Sequence, residues 1–245
     1  MNATNNFGPP GQAACATRQR LLESAGEVFA QRGYHGAMVR EICRRAGANV
    51  ASVNYHFGDK RRLYSAVMHY AYDQAMAKYP PDMGLPPSAS APQRLHAFVE
   101  SLLLRTLGTG SPAWLGKLMM REMLEPTDAL DGLISKSMAP VFQGLRKLVA
   151  EIRGPSDEQT NFHCSASVAA QCVFFYIAGN FISRIYPRQK YSPNDISVLA
   201  DHVTAFSLAG LGAGSRKTAG PFHDKSKGRR PRSDDARKDI HVRGK

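Results

Sequence analysis

Apolar residues recur at helical spacing along most of the chain, and no stretch alternates as a strand would. Leu21, Leu22, Ala25, Val28 and Phe29 fall at i, i+1, i+4, i+7 and i+8, one apolar stripe. Thr17 suits the cap at the start of that helix and Gly33 its end. Val39, Ile42, Cys43 and Ala46 predict a second, short helix that stops at Gly47. Residues 50–57 predict a third, with Val53 and Phe57 pointing inward. Gly58 turns the chain, and Asp59 caps a fourth helix carrying Leu63, Val67, Tyr70 and Ala71.

Pro80-Pro81 and Pro86-Pro87, with Gly84, Ser88 and Ser90, break the pattern and predict a linker. Five helical stripes follow, over residues 95–107, 114–124, 130–152, 165–186 and 196–211. Pro112, Pro126, Pro155, Pro187 and Pro193 fall between them. Pro140 lies inside the third stripe and predicts a kink or a split. The expected fold is all-α, a small head of short helices before a larger helical body. The expected boundaries are a disordered leader at 1–14, a head at 15–75, a body at 92–213 and a disordered basic tail at 214–245.

Charge separates these regions. Residues 17–70 hold nine basic against four acidic side chains, residues 71–214 twelve of each, and residues 215–245 eleven against four. A basic head before a neutral body suggests a polyanion-binding unit attached to a body with another task. Cys15, Cys43, Cys164 and Cys172 form no closely spaced pair, so zinc and redox motifs are not expected. No run is apolar enough for a membrane span, and residues 1–14 lack the pattern of a secretory signal, so the expected compartment is the cytoplasm. No nucleophile–base pairing, Gly-rich phosphate loop or paired carboxylates stand out. An enzyme is therefore not expected, nor any cofactor.

Two short helices around a tight turn, with a further helix behind, is the helix-turn-helix pattern. With Val53 and Phe57 buried, the third helix exposes Val50, Ala51, Ser52, Asn54, Tyr55 and His56. A helix that meets the major groove end-on needs small side chains at base edges and hydrogen-bonding groups behind them for phosphates. Lys60 adds a cation beside helix N-terminal amides, themselves anion ligands.

The segment Thr17 to Tyr70, above all the run Ala46-Gly47-Ala48-Asn49-Val50-Ala51-Ser52-Val53-Asn54-Tyr55-His56-Phe57-Gly58-Asp59-Lys60, resembles the DNA-binding domain of the TetR/AcrR family. Asn54-Tyr55-His56-Phe57, with Ala48-Asn49 in the turn, resembles the CecR-like subgroup, as does Arg121-Glu122-Met123-Leu124-Glu125-Pro126-Thr127 in the body. The resemblance implies a DNA-binding head, a helical ligand-binding and dimerisation body, and repression relieved by a small molecule. Carried over by position, it places Val50, Ala51 and Asn54 toward bases and Ser52, Tyr55, His56 and Lys60 toward phosphates, with Arg40 able to reach a base. Ala37-Met38 stand where the family has Ser or Thr, which removes a capping hydroxyl. Asn54 replaces the commoner Tyr, and its carboxamide suits an adenine edge.

In the body, Trp114, Met119, Met123, Phe142 and Phe174 are candidate walls of an apolar effector pocket. Met120, Phe175, Tyr176 and Phe181 are further candidates, and His96, Arg121, Asn180 and Arg184 candidate polar anchors. The last two stripes are the expected homodimer face, and two heads would meet a near-palindromic operator on double-stranded DNA. A competing reading is an architectural, largely sequence-independent DNA binder aided by the basic tail.

Overall fold

A computed structural model describes residues 10–108, 112 and 114–212. Every regular element among them is helical. The head is α1 (Pro10–Gly36), α2 (Val39–Ala46), α3 (Val50–Phe57) and α4 (Lys60–Lys78). The body is α5 (Ala91–Leu107), α6 (Leu115–Leu124), α7 (Asp128–Leu133), α8 (Ala139–Arg153), α9 (Glu158–Ile177), α10 (Gly179–Ile185) and α11 (Pro193–Gly210).

Three expectations change, and the split expected near Pro140 is found. Helix α1 starts at Pro10, so residues 10–14 are helical rather than leader. Thr17 lies inside it, its hydroxyl donating to the Ala13 carbonyl at 2.9 Å, so it caps nothing. The helix does break at Gly33 (φ 72°, ψ 172°), leaving a short separate turn before α2. The stripe over 130–152 is two helices joined by a π-helical turn, Ile134–Met138, and Pro140 sits in the first turn of α8, where its missing N–H is no loss. The stripe over 165–186 starts earlier, at the Asp157 cap, and breaks at Ala178-Gly179 with a bend of 72° between α9 and α10. Glycine, about 1 kcal/mol less favourable than alanine inside a helix, is a weak point for helix continuity. The expected tail and residues 1–9 lie outside the described residues.

Two buried clusters hold these elements. One joins Leu21, Leu22, Val28 and Phe29 of α1 to Ile42, Val53, Leu63 and Val67, and it also takes in Leu118, Ala129 and Leu133 from the body. The other joins Leu95, Val99 and Leu103 of α5 to Leu145, Val149, Cys172, Ile196 and Val203. Helix α5 is thus the centre of the body, packed on α8, α9 and α11. Burial pushes the Cys172 thiol up to about 12, as fits a small apolar core residue. No single described helix is long and apolar enough to cross a membrane.

Candidate DNA-reading face and effector cavity

The orientation of α3 is set by polar contacts that surround the turn before it. Glu41 on α2 takes Arg32 of α1 at 2.8 Å and Arg45 at 2.7 Å. The Arg45 hydrogen bond, with the charges of both arginines, holds the Glu41 carboxyl below the usual carboxylate range. Arg20 of α1 donates to the Ala46 carbonyl at the end of α2, at 3.1 Å. Gly47 then adopts left-handed geometry (φ 60°, ψ 39°), which a side chain would disfavour. Asn49 caps α3, accepting from the Ser52 amide at 2.8 Å. On the opposite side the Arg18 guanidinium lies over the Phe57 ring at 5.4 Å. Met38 precedes α2 without any side-chain cap, as the missing hydroxyl at that position implies.

With Val53 and Phe57 buried beneath it, α3 presents Val50, Ala51, Asn54 and Tyr55 to solvent. Tyr55 is 81% exposed, an unusual setting for a large aromatic ring, and meets His56 edge-on at 4.9 Å. His56 is half-buried, and Arg40 on α2 is exposed. The Ser52 hydroxyl is turned back onto Asn49 Oδ1 at 3.0 Å. Lys60 is also engaged: its ammonium donates to the His35 carbonyl at 3.3 Å and lies 4.9 Å from the Tyr34 ring centre. Burial there lowers its pKa from the usual lysine value.

The body contains a largely apolar cavity of about 340 Å³. Helix α6 forms one wall with Leu115, Gly116, Met119, Met120 and Met123. The remaining wall comes from Tyr72 and Ala75 of α4, Leu102, Arg105 and Thr106 of α5, Gly108 and Pro112 beyond it, Met138 of the π turn, and Val173, Tyr176 and Ile177 of α9. The Tyr176 hydroxyl lies over Gly116, where a Cβ would be only 2.0 Å from it. Of the candidate pocket residues, Met119, Met120, Met123 and Tyr176 line the cavity. Trp114, Phe142, Phe174 and Asn180 do not. Trp114 packs against the head, Phe142 packs into the body core beside Phe162, Phe174 is 54% exposed, and Asn180 faces solvent. The candidate anchors are also elsewhere: His96 bonds Asp201 at 2.9 Å, and Arg184 donates to the Asn180 carbonyl.

Arg105 is the polar wall group missing from the sequence reading. Its signal was a lone cation within the apolar run Leu102-Leu103-Leu104-Arg105-Thr106-Leu107.

Helix α6 is also fastened to the head at both ends. At its start the Trp114 ring packs so tightly on α1 that a Cβ on Gly26 would lie 2.3 Å from it. At its end Arg121 donates to the carbonyls of Ala30 (3.0 Å) and Gln31 (2.9 Å), just before the Gly33 break. The next residue, Glu122, is buried; it accepts from the Tyr64 hydroxyl of α4 at 2.5 Å and from the Thr127 amide at 3.0 Å. Arg121 is therefore a tie between head and body rather than a pocket anchor. One helix thus forms the cavity wall on one face and grips α1 and α4 on the other.

Comparison with known proteins agrees with both halves. A family model for bacterial regulatory proteins of the TetR family matches residues 21–67. A model for the C-terminal domain of the HTH-type transcriptional dual regulator CecR matches residues 91–211. CecR of Shigella flexneri is 28% identical over 167 residues, 64% of this chain and 74% of CecR. The transcriptional repressor NicS of Pseudomonas putida is 31% identical over 105 residues, 42% of this chain and about half (49%) of NicS. The fold is shared with AibR, whose crystal structure holds isovaleryl coenzyme A and operator DNA (TM-score 0.55, 18% identity, 78% of this chain and 97% of that one). The chain belongs to the TetR family of bacterial regulatory proteins, with a body of the CecR C-terminal type.

Proposed function

We propose that this protein is a homodimeric transcriptional repressor that binds a near-palindromic operator through α3 and leaves it when a small, largely apolar effector fills the body cavity. The observation that carries the reading is the α3 face: Val50, Ala51, Asn54 and Tyr55 exposed together on a helix whose start is capped by Asn49. Small residues admit the helix to the groove, and Asn54 can pair with an adenine edge. Arg40, Ser52, Tyr55, His56 and Lys60 complete the proposed contact set, with Ser52 and Lys60 exchanging their present partners for phosphate.

A head of this size covers one half-site, so two are needed, about 34–36 Å apart or a multiple of that. The exposed apolar side chains Phe174, Ile177, Phe181, Ile185, Val198 and Phe206 on α9, α10 and α11 support pairing through that face. An effector would be sensed through α6, which touches the cavity and holds α1 and α4. The AibR complex supports such a division of labour, since that protein binds both an acyl thioester and DNA. The proposed site of action is chromosomal DNA in the cytoplasm.

Genomic binding-site mapping with purified protein tests the reading. The expected result is a small set of sites with two-fold symmetry, each protecting two successive major grooves. Uniform, sequence-independent occupancy that falls steeply with salt would overturn it in favour of an architectural binder.

A further inference from the structure

We infer that the cavity selects a monoanionic amphiphile, an organic acid whose carboxylate meets Arg105 while its apolar body lies along the α6 methionines. The inference rests on the reading of this cavity as the effector site. Arg105 is the one charged side chain among the described residues that line the cavity, and none of those residues is acidic. It stands in the last turn of α5, where the helix dipole favours a cation. Its Nε donates to the Ser101 carbonyl at 3.2 Å, and its Nη1 reaches the Met76 thioether at 2.6 Å. Burial works against its charge, with the Tyr72 hydroxyl beside it working the other way, yet a guanidinium stays protonated at any working pH. A fixed positive charge at an apolar wall attracts an anion and repels an amine.

The neighbouring polar groups fit the same occupant. Burial raises the pKa values of Tyr72 and Tyr176, so both phenols stay neutral and do not repel an anion; the Tyr72 O–H is given to the Ser137 carbonyl at 3.4 Å, which leaves Tyr176 as the phenol placed to donate. The opposite wall is shape-tolerant. Met119, Met120, Met123 and Met138 are unbranched and polarisable, so they accommodate straight or ring-bearing bodies alike. Selectivity therefore lies at the head of the ligand and tolerance along its body. A volume of about 340 Å³ is near the lower end of the range for small-molecule sites, about 300–1,000 Å³, so medium-sized acids fit.

Isothermal titration of the full chain with matched probes tests this. Octanoate, 1-octanol and octylamine form one series; 4-phenylbutyrate and 4-phenyl-1-butanol form a second. The expected result is one acid per chain, bound about tenfold or more tighter than its alcohol, as a charge-assisted hydrogen bond warrants, with the amine weakest. The two acids should compete. Arg105→Gln should bring acid and alcohol to equal affinity, and Arg105→Lys should restore part of the gap. The wild-type series decides the ligand class even if the variants fail to fold. Equal binding of acid and alcohol to the wild type would overturn the acid-selective role while leaving an apolar effector cavity standing. An acid preference that survives in Arg105→Gln would overturn the role of Arg105. No binding of any probe at millimolar concentration would overturn both this inference and the effector reading beneath it.

Discussion

Helix α3 draws its exposed face from eight consecutive residues, whereas the cavity draws its wall from α4, α5, α6, the π turn and α9. On α3 the backbone decides everything. Once Val53 and Phe57 are buried, helical geometry alone determines which neighbours face solvent. In the cavity, each lining side chain depends on how distant helices cross. A face built locally can change its residues without disturbing the fold, and this suits a surface that must match one DNA sequence. A cavity built from distant segments changes shape whenever its helices move, and this suits a sensor. Helix α6 links the two, because it belongs to the cavity by one face and to the head core by the other.

The sharpest way to break this comparison is to cut the link. Glu122→Ala removes the acceptor for a buried Tyr64 hydroxyl and for the Thr127 amide. It should destabilise the whole chain by about 2–4 kcal/mol in a urea melt, with head and body unfolding together. Glu122→Gln, which keeps one acceptor oxygen, should cost less. A loss below about 1 kcal/mol, or two separate transitions, would mean that the two parts stand independently. A smaller wedge at the other end of α6 comes next. Gly26→Ala would put a methyl group into the Trp114 ring and should cost about 1–3 kcal/mol. Trp114 is the sole tryptophan, so its emission should shift at the same time. Unchanged emission and stability would show that this contact is loose.

These two regions also differ in how far the sequence revealed them. The head helices, the Gly47 turn and the inward pair Val53 and Phe57 were legible, because each depends on spacing within a few residues. The cavity was only partly legible. Apolar stripes point to Met119, Met120, Met123 and Tyr176, but a stripe cannot distinguish a wall from a core, and Trp114 and Phe142 pack elsewhere. Arg105 and Tyr72 were missed because their roles depend on the approach of α4, α5 and α6. The run Arg121 to Thr127 was noticed as a motif, but its work became apparent only when α6 was seen against α1 and α4. The break at Ala178-Gly179 was hidden because the apolar spacing continues through it.

A third measurement sharpens the reading role given to α3. Asn54→Ala leaves the fold untouched, since the side chain is exposed. It should weaken operator binding by about 1–3 kcal/mol and relax preference at one base pair. A titration against operator, single-base variants and random DNA measures both effects. If every sequence weakens alike, Asn54 does not read a base, and Arg40 becomes the better candidate.

The smallest effect is expected at Lys60, where two roles compete. In the structure its ammonium holds the His35 carbonyl and the Tyr34 ring, contacts worth about 0.5–1 kcal/mol for an exposed cation–π pair and about 1.5–3 for a hydrogen bond from a charged group. A hydrogen bond to a charged group is worth about 1.5–3 kcal/mol, and each phosphate neutralised also releases counterions. The two hydrogen bonds nearly cancel and counterion release tips the exchange toward phosphate, so Lys60 should swing outward on DNA with a small net gain. Lys60→Ala should then weaken binding to all sequences equally and make the slope of log affinity against log salt shallower by about one. It should also lower the stability of the free protein slightly, because the Tyr34 and His35 contacts are lost in the absence of DNA. The two roles separate cleanly in the data. A reduced melting temperature with an unchanged salt slope would mean that Lys60 stays on Tyr34 in the complex and acts as a strut for the end of α1, leaving the phosphate to the amides at the start of α4.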